Sequence, residues 1–555
     1  MISLLITLFI FNSQISRLDF VGNNSISSKL LHQEIISKKG DEYNEINLAF
    51  DIEKILHFYK TQGFFHTEVT PDVSFKGDSA EIVFVINEGP RPKIKKIIID
   101  GAMQEEIKEL FEIKINDFFI DEKIKITKDK IKNYYKNHGF AYAEVKYTLE
   151  PDSGIAVFTV KKDKLYYIRN IVIEGLKTCA PKVVRREIEI HRGDKFNKNK
   201  LTKSQRAIYN LGFFSTINVT MVKKEPDSLD LIFKLRELKS RILNFGIGLS
   251  IPLSFLFSFA IEELNIFNLG HRFQIRPAFK INLEKEWETK LEGRYIIPHV
   301  TPWRLTASIL PFLWYEEKLD FTRQTRGSEF RLSKLFNDNI IFSIANQYKY
   351  VILEPKITLP DTIKGITNSI KFQLMFDYRD DFFNPRKGIY MLPLIEYAGG
   401  IFGGANNFVR FEFECRAFQP FLGNTIAQRL KTGVIIPTDG MAIYEKYYLG
   451  GQYTLRGYPE RSLGPEAIGD ERYGDILGNY NFEYRINLPL NFGVVGFFDL
   501  GFVADKIDSE QKDFLKASAG AGLRYFTPIG PVRLDVGFPL MNKGREIYLG
   551  IYHIF

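Results

Sequence analysis

Cysteine is nearly absent from this chain of 555 residues: only Cys179 and Cys415 occur, far apart in the sequence. That excludes a disulfide framework, and two thiols without histidines at ligand spacing are too few for a structural zinc site. The eight histidines are scattered. No HExxH, GxSxG or P-loop pattern appears, so the common hydrolytic and nucleotide-binding chemistries have no residues to carry them. Neither a metal, a cofactor nor catalytic residues are expected. Long hydrophobic runs are missing too, and a charged fraction of 26% excludes a bundle of transmembrane helices. The apolar run Met1–Phe11 is too short to span a bilayer and has the length of a signal-peptide core. Residues 1–14 are therefore expected to be a signal peptide, although no Lys or Arg precedes the run and no clear small-x-small cleavage site follows. The net charge of +8 is modest for this length and does not imply nucleic acid; it suits a Lys-rich surface near anionic lipid as well as an ordinary solvated one.

What the chain has in plenty is aromatic side chains, 49 Phe and 27 Tyr, and an internal repeat. Three units open on a short strand ending in glycine: LDFVGN (Gly22), IIIDGA (Gly101) and IVIEGL (Gly175). In each, a second helix ends on a glycine followed by an aromatic residue: FYKTQGFF, YYKNHGFA and IYNLGFFS. Gly63, Gly139 and Gly212 read as helix C-terminal glycines requiring positive φ. Two alternating strands close every unit, giving β-α-α-β-β at a period of roughly 75 residues. The expected bounds are 15–90, 91–164 and 165–239. A three-stranded sheet covered on one face by two helices leaves an edge that can add an extended peptide, although a string of such units also serves as a spacer.

From residue 240 to Phe555 the helical period disappears. Segments of about ten residues alternate with a period of two between turns, as expected for transmembrane β-strands. In FVRFEFECRAF one face is Phe408, Arg410, Glu412, Glu414 and Arg416, and the other is Val409, Phe411, Phe413, Cys415 and Ala417. An apolar face opposed to a charged one suits a barrel with lipid outside and a wet lumen inside, and closure satisfies backbone groups that lipid cannot. About sixteen segments are present, an even number of antiparallel strands. The fold class is therefore α+β repeats followed by an all-β transmembrane barrel over 240–555.

One stretch of the barrel is not strand-like. YYLGGQYTLRGYPERSLGPE, Tyr447–Glu466, carries four glycines and two prolines, with Arg456 at its centre. Asp499 lies in the apolar run GFFDLGFV, where a charge must face inward and find a partner; Arg533 and Asp535 share the inward face of the following segment. In DYRDDFFNPRKG the Asn384-Pro385 pair and Gly388 mark a reversal, and Arg379 among Asp377, Asp380 and Asp381 favours a charge-paired turn over a cation site.

The repeats resemble the POTRA module. With the stretches DYRDDFFNPRKG, YYLGGQYTLRGY, GFFDLGFVAD and GLRYFTPIGPVRLDVGFPL, and a terminal segment closing on Phe555, the chain is similar to the BamA/TamA-type family of outer-membrane assembly and secretion proteins. The resemblance implies that the loop with Arg456, Gly457 and Tyr458 folds back into the lumen, where Arg456 meets Asp499 first and Asp535 second. It also implies a C-terminal barrel signal at Phe555, with His553 where tyrosine is commoner. A weakly paired seam is implied between a first strand near Arg241–Ser250 and a last strand near Arg545–Phe555, with Gly246, Gly248 and Gly550 lowering strand propensity there. The implied function is insertion of β-barrel proteins into the outer membrane of a diderm bacterium, the repeats receiving unfolded outer-membrane proteins in the periplasm. The partners are those clients, outer-membrane lipid, and periplasmic or lipoprotein accessory subunits. The alternative is a two-partner-type secretion pore exporting a dedicated protein.

Overall fold

A computed structural model of the protein describes residues 13–250, 254–301, 303–356, 363–505, 515–527, 530–551, 553 and 555. The apolar run at 1–11 lies outside the described residues. The chain divides into two compact units, one holding most of residues up to 236 and the other the chain from 237 onward.

The first unit contains the three repeats. In the first, strand β1 (Gln14–Val21) is followed by helices α1 (Ser28–Glu34) and α2 (Glu45–Thr61) and by strands β2 (Glu68–Lys76) and β3 (Ser79–Asn87). The second has β4 (Lys96–Asp100), α3 (Gln104–Ile107), α4 (Asp121–Asn137), β5 (Glu144–Glu150) and β6 (Ile155–Lys161). The third has β7 (Tyr167–Glu174), α5 (Pro181–Arg185), α6 (Lys198–Tyr209), β8 (Phe214–Lys224) and β9 (Ser228–Glu237). Each sheet places the last strand in the middle, in the orders β1-β3-β2, β4-β6-β5 and β7-β9-β8. The first strand pairs with it in parallel, the second antiparallel, as β1 and β2 do with β3.

The long helix of each repeat buries one stripe at helical spacing: Leu48, Asp51, Ile55 and Tyr59; Ile124, Thr127, Ile131 and Tyr135; Leu201, Ser204 and Ile208. A polar residue sits in the middle of every stripe, and each has the same task. Asp51 accepts from the backbone N–H groups of Ile36 and Ser37, Thr127 Oγ1 from Glu112 and Ser204 Oγ from Glu189. Each of these bonds ties the long helix to the segment that precedes it. The strand-ending glycines are forced by contact. A Cβ on Gly22, Gly101 or Gly175 would lie 2.0, 2.1 or 2.0 Å from the carbonyl oxygen of Ile86, Val160 or Leu235, and all three have positive φ. Gly63, Gly139 and Gly212 also have positive φ, at 92°, 103° and 84°.

In the second unit sixteen strands form one sheet in sequential order. It begins with β10 (Arg241–Ser250), β11 (Ser254–Ile266), β12 (His271–Asn282), β13 (Trp287–Ile297), β14 (Thr306–Glu317) and β15 (Phe321–Asn337). It continues with β16 (Ile340–Pro355), β17 (Ile363–Asp377), β18 (Gly388–Ala398), β19 (Asn407–Phe421) and β20 (Asn424–Asp439). A long loop carrying the small hairpin β21 (Glu466–Ile468) and β22 (Glu471–Tyr473) interrupts the meander. The sheet resumes with β23 (Ile476–Asn487), β24 (Phe492–Ala504), β25 (Lys516–Thr527), β26 (Gly530–Pro539) and β27 (Glu546–Ile551).

Among the described residues no helix is long and apolar enough to cross a membrane; the strands have the alternation for it. On β19, Phe411 and Phe413 are exposed on the outer face, while Arg410 bonds Glu396 of β18 and the backbone of Glu445 in the loop. Two details depart from the expected boundaries. The last strand ends at Ile551, not at Phe555, whose side chain is buried against Phe418 and Ala427. The reversal around Asn384-Pro385 is a wider connection, residues 378–387. Asp380 there accepts from the N–H groups of Arg386 and Lys387, and Arg379 clasps Asp377 with two bonds of 2.8 and 2.7 Å.

Candidate functional site

The loop between β20 and β23 enters the lumen because both its composition and the wall demand it. Leu449, Leu455 and Tyr458 pack with Phe408, Ile435, Leu477 and Val503 of the wall in one buried cluster, which gives the insertion its hydrophobic driving force. The backbone must come very close to the wall at the motif itself. Gly457 has φ 89°, and a Cβ there would lie 3.1 Å from backbone atoms of Phe538 and Pro539. A Cβ on Gly537 would reach 2.6 Å from the Gly457 nitrogen, so both glycines are needed for loop and strand to touch.

Arg456 is fully buried. Its Nε and Nη2 hold the two oxygens of Asp499 at 2.8 and 2.9 Å, its backbone N–H adds a third bond to Asp499 at 3.1 Å, and Nη1 donates to Glu483 Oε1 at 2.8 Å. Asp535 stands further off, 3.5 Å from Nη1. The guanidinium carbon lies 3.5 Å from the centre of the Phe497 ring. A planar fork that takes a carboxylate bidentately, a second acid and an aromatic face is the environment in which arginine, and not lysine, is satisfied away from water.

The charges around it form a network: Arg456, Arg485, Arg524 and Arg533 with Glu483, Asp499 and Asp535, none more than 4% exposed. Glu483 is shared with Arg485 at 2.8 Å, and Asp535 with Arg533 at 2.8 Å and with Arg524. The structure thus brings Arg456, Asp499 and Asp535 together, with Asp499 the nearer. No motif singles out Glu483. Its place in the alternating segment YNFEYRIN puts it on the same face as Arg485, so its inward direction is legible in the sequence but its partner is not.

Tyr548 is a further residue that no motif marks. From β27 its hydroxyl accepts the Gly457 N–H at 3.0 Å and donates to the Tyr458 carbonyl at 2.9 Å. Tyr548→Phe should leave the buried Gly457 N–H unpaired and take one of two donors from the Tyr458 carbonyl, which keeps the Gly451 N–H. The seated loop should therefore lose about 1–3 kcal/mol, read as faster cleavage by added protease. Unchanged cleavage would remove Tyr548 from the site.

Beyond the motif, the loop is pinned near its two ends. Glu445 meets Lys349 at 2.8 Å and Thr367 on the wall; Arg461 and Glu471 bond each other at 3.1 Å, and Glu471 also reaches Arg323. Of the other expected positions, Gly246 and Gly248 lie in β10, where Cβ atoms would press on Ser258 and Leu256 of β11. Gly550 faces Arg533 across the β26–β27 ladder, and a Cβ would stand 3.2 Å from its Nε. His553 is buried, with Nε2 3.2 Å from Asn384 Oδ1. Among the described residues no cluster of His, Cys, Asp or Glu has the arrangement of a metal site.

The barrel and the repeats have known counterparts. Residues 266–552 match the Omp85 superfamily domain, and residues 13–89, 92–163 and 166–238 each match the surface antigen variable number repeat, the POTRA unit. The outer membrane protein assembly factor BamA of Nitratidesulfovibrio vulgaris is 25% identical over 86% of this chain and 63% of its own length. That of Neorickettsia risticii is 23% identical over 96% of this chain and 76% of its own. The chain thus spans under two thirds of the first relative's length. Among solved structures, BamA from Haemophilus ducreyi lacking POTRA domains 1–3 superposes with a TM-score of 0.67 at 19% identity, over 83% of this chain and 99% of that one. With its barrel matched across more than half of the sequence and three repeats matched in order before it, the chain belongs to the Omp85 superfamily.

Proposed function

We propose that this protein is an outer-membrane assembly factor: it receives unfolded β-barrel proteins in the periplasm through its repeats and folds them into the outer membrane at the edge of its own barrel. The observation that carries the reading is the ladder. Strands β10 and β27 each pair with a single neighbour, and no ladder joins them to each other among the described residues. A strand edge with free N–H and C=O groups can template an incoming strand by main-chain hydrogen bonds, almost regardless of its sequence. The work is a change of environment and of pairing, without covalent chemistry. Export through the lumen is the poorer reading, because the loop would first have to leave a wall that holds it through Arg456, Glu445 and Tyr548. The names of the curated relatives agree with assembly.

The test is to lock the seam. After replacement of Cys179 and Cys415, one cysteine is placed in β10 and one in β27. Under oxidising conditions, folding of a urea-unfolded client barrel into vesicles bearing the protein should fall to the rate of empty vesicles and recover on reduction. Undiminished folding with the bridge closed would refute the edge mechanism.

A further inference from the structure

The outer wall of the barrel carries a depression unrelated to the lumen site. A cavity of about 900 Å³ opens across strands β12 to β17. Its floor is made by small side chains standing side by side, Gly293, Pro311 and Ser328, where larger neighbours on every side leave a notch. That this is the outer face follows from the alternation. Lys349 and Thr367 both reach Glu445 of the lumen loop, so Tyr348, Tyr350 and Ile366, which alternate with them, face away from the lumen.

One residue in the notch does not belong to an apolar wall. The register runs Pro277, Leu291, Leu313, Arg326, Tyr350 and Ile366 across six strands, and Arg326 is the only charge in that row. Arg323 and Arg331, on the lumen face of the same strand, are ion-paired with Glu316 and Glu329. Among the described residues Arg326 has no carboxylate in reach; its guanidinium lies 4.9 Å above the Tyr350 ring. Arg326 is exposed and follows soon after Phe321, which opens β15 at the end of the barrel where the lumen loop enters and packs with Ile468 and Tyr473 of that loop.

We infer that the notch is a binding site for a phosphate-bearing anionic membrane lipid, one acyl chain lying on the Gly293–Pro311–Ser328 floor and the phosphate held by Arg326. A cation on a lipid-facing wall is costly until an anion neutralises it, and the guanidinium fork matches two phosphate oxygens. A flexible hydrocarbon chain fills a depression that the rigid wall leaves open. The inference rests on the membrane-spanning reading of the barrel.

The test uses the full-length protein carrying a photoreactive benzoyl-phenylalanine at Leu313, in vesicles of phosphatidylcholine with a minor fraction of phosphatidylglycerol. A second preparation carries the same probe at Phe411, on the outer wall elsewhere. Mass spectrometry of the adducts reads the occupant. At Leu313 the phosphatidylglycerol share should exceed its bulk share about fivefold, and Arg326→Gln should return it to bulk. At Phe411 lipid adducts should appear in the bulk ratio. Bulk ratio at Leu313 with the native arginine, an enrichment that survives Arg326→Gln, or an adduct to a second protein chain would overturn the site. Absence of lipid adducts at both positions would instead refute the membrane-spanning reading.

Discussion

Replacing Arg456 by alanine should release the lumen loop and cost about 3–5 kcal/mol, because it strips the cation from Asp499 and one of the cations from Glu483, which keeps Arg485, and both carboxylates are fully buried. Asp499 would lose both side-chain bonds and keep only the backbone N–H of residue 456, and Glu483 would lose one bond. The same figure is not the worth of the ion pair, since most of it is the penalty of an acid left charged and alone. Arg456→Lys should recover only part of the loss: an ammonium is a point charge and cannot hold Asp499 through two parallel bonds while also reaching Glu483. The measurement is cleavage of the loop between Gly440 and Asp475 by added protease, together with the yield of heat-modifiable folded barrel and the folding of client proteins. Alanine should raise cleavage sharply and lower both yields, with lysine between. Equal behaviour of all three proteins would mean that Arg456 is one more lumen charge.

Gly101→Ala should destabilise the second repeat by about 2–5 kcal/mol while leaving the barrel folded. The new methyl carbon would stand 2.1 Å from the Val160 carbonyl oxygen, well inside contact distance, and φ at this position is +79°. The left-handed backbone alone costs a residue with a Cβ about 1–2 kcal/mol. Moving β6, the central strand of the sheet, away from the methyl adds strain of about 1–3 kcal/mol. Together these take a large share of the roughly 5–15 kcal/mol that holds a small domain folded. Hydrogen exchange on the full chain should show residues 94–160 losing protection while β12 to β27 keep theirs. Retained protection in the repeat would show that the sheet shifts at little cost.

The comparison of these two sites shows where a sequence speaks plainly. Glycine at the end of each opening strand recurs because one local geometry recurs, and a motif repeated three times exposes it. The matching polar residues Asp51, Thr127 and Ser204 share a role but not an identity, so nothing in their letters aligns them. Alternation tells Phe411 from Arg410 for the same local reason: in a strand, neighbouring side chains must point to opposite faces. The sequence predicts too long a last strand because the alternation in REIYLGIYHIF continues past Ile551, whereas Phe555 is buried against Phe418 and Ala427.

By itself, then, the sequence determined the repeat architecture, the barrel, and which charges face the lumen, since each depends on periods of two or 3.6 residues and on glycine's freedom at a few turns. It determined also that a glycine-rich loop with one arginine had to pack inside something. The resemblance pointed to Asp499 and Asp535 as acids for that arginine, but that Glu483 joins them, and how near each stands, was decided only in three dimensions. Glu483, Asp499 and Tyr548 come from strands β23, β24 and β27, and their convergence on Arg456 and Gly457 depends on the register between strands and on the path of a loop crossing the lumen. Those are long-range relations, set by the curvature of the whole wall, and no short stretch of the chain contains them.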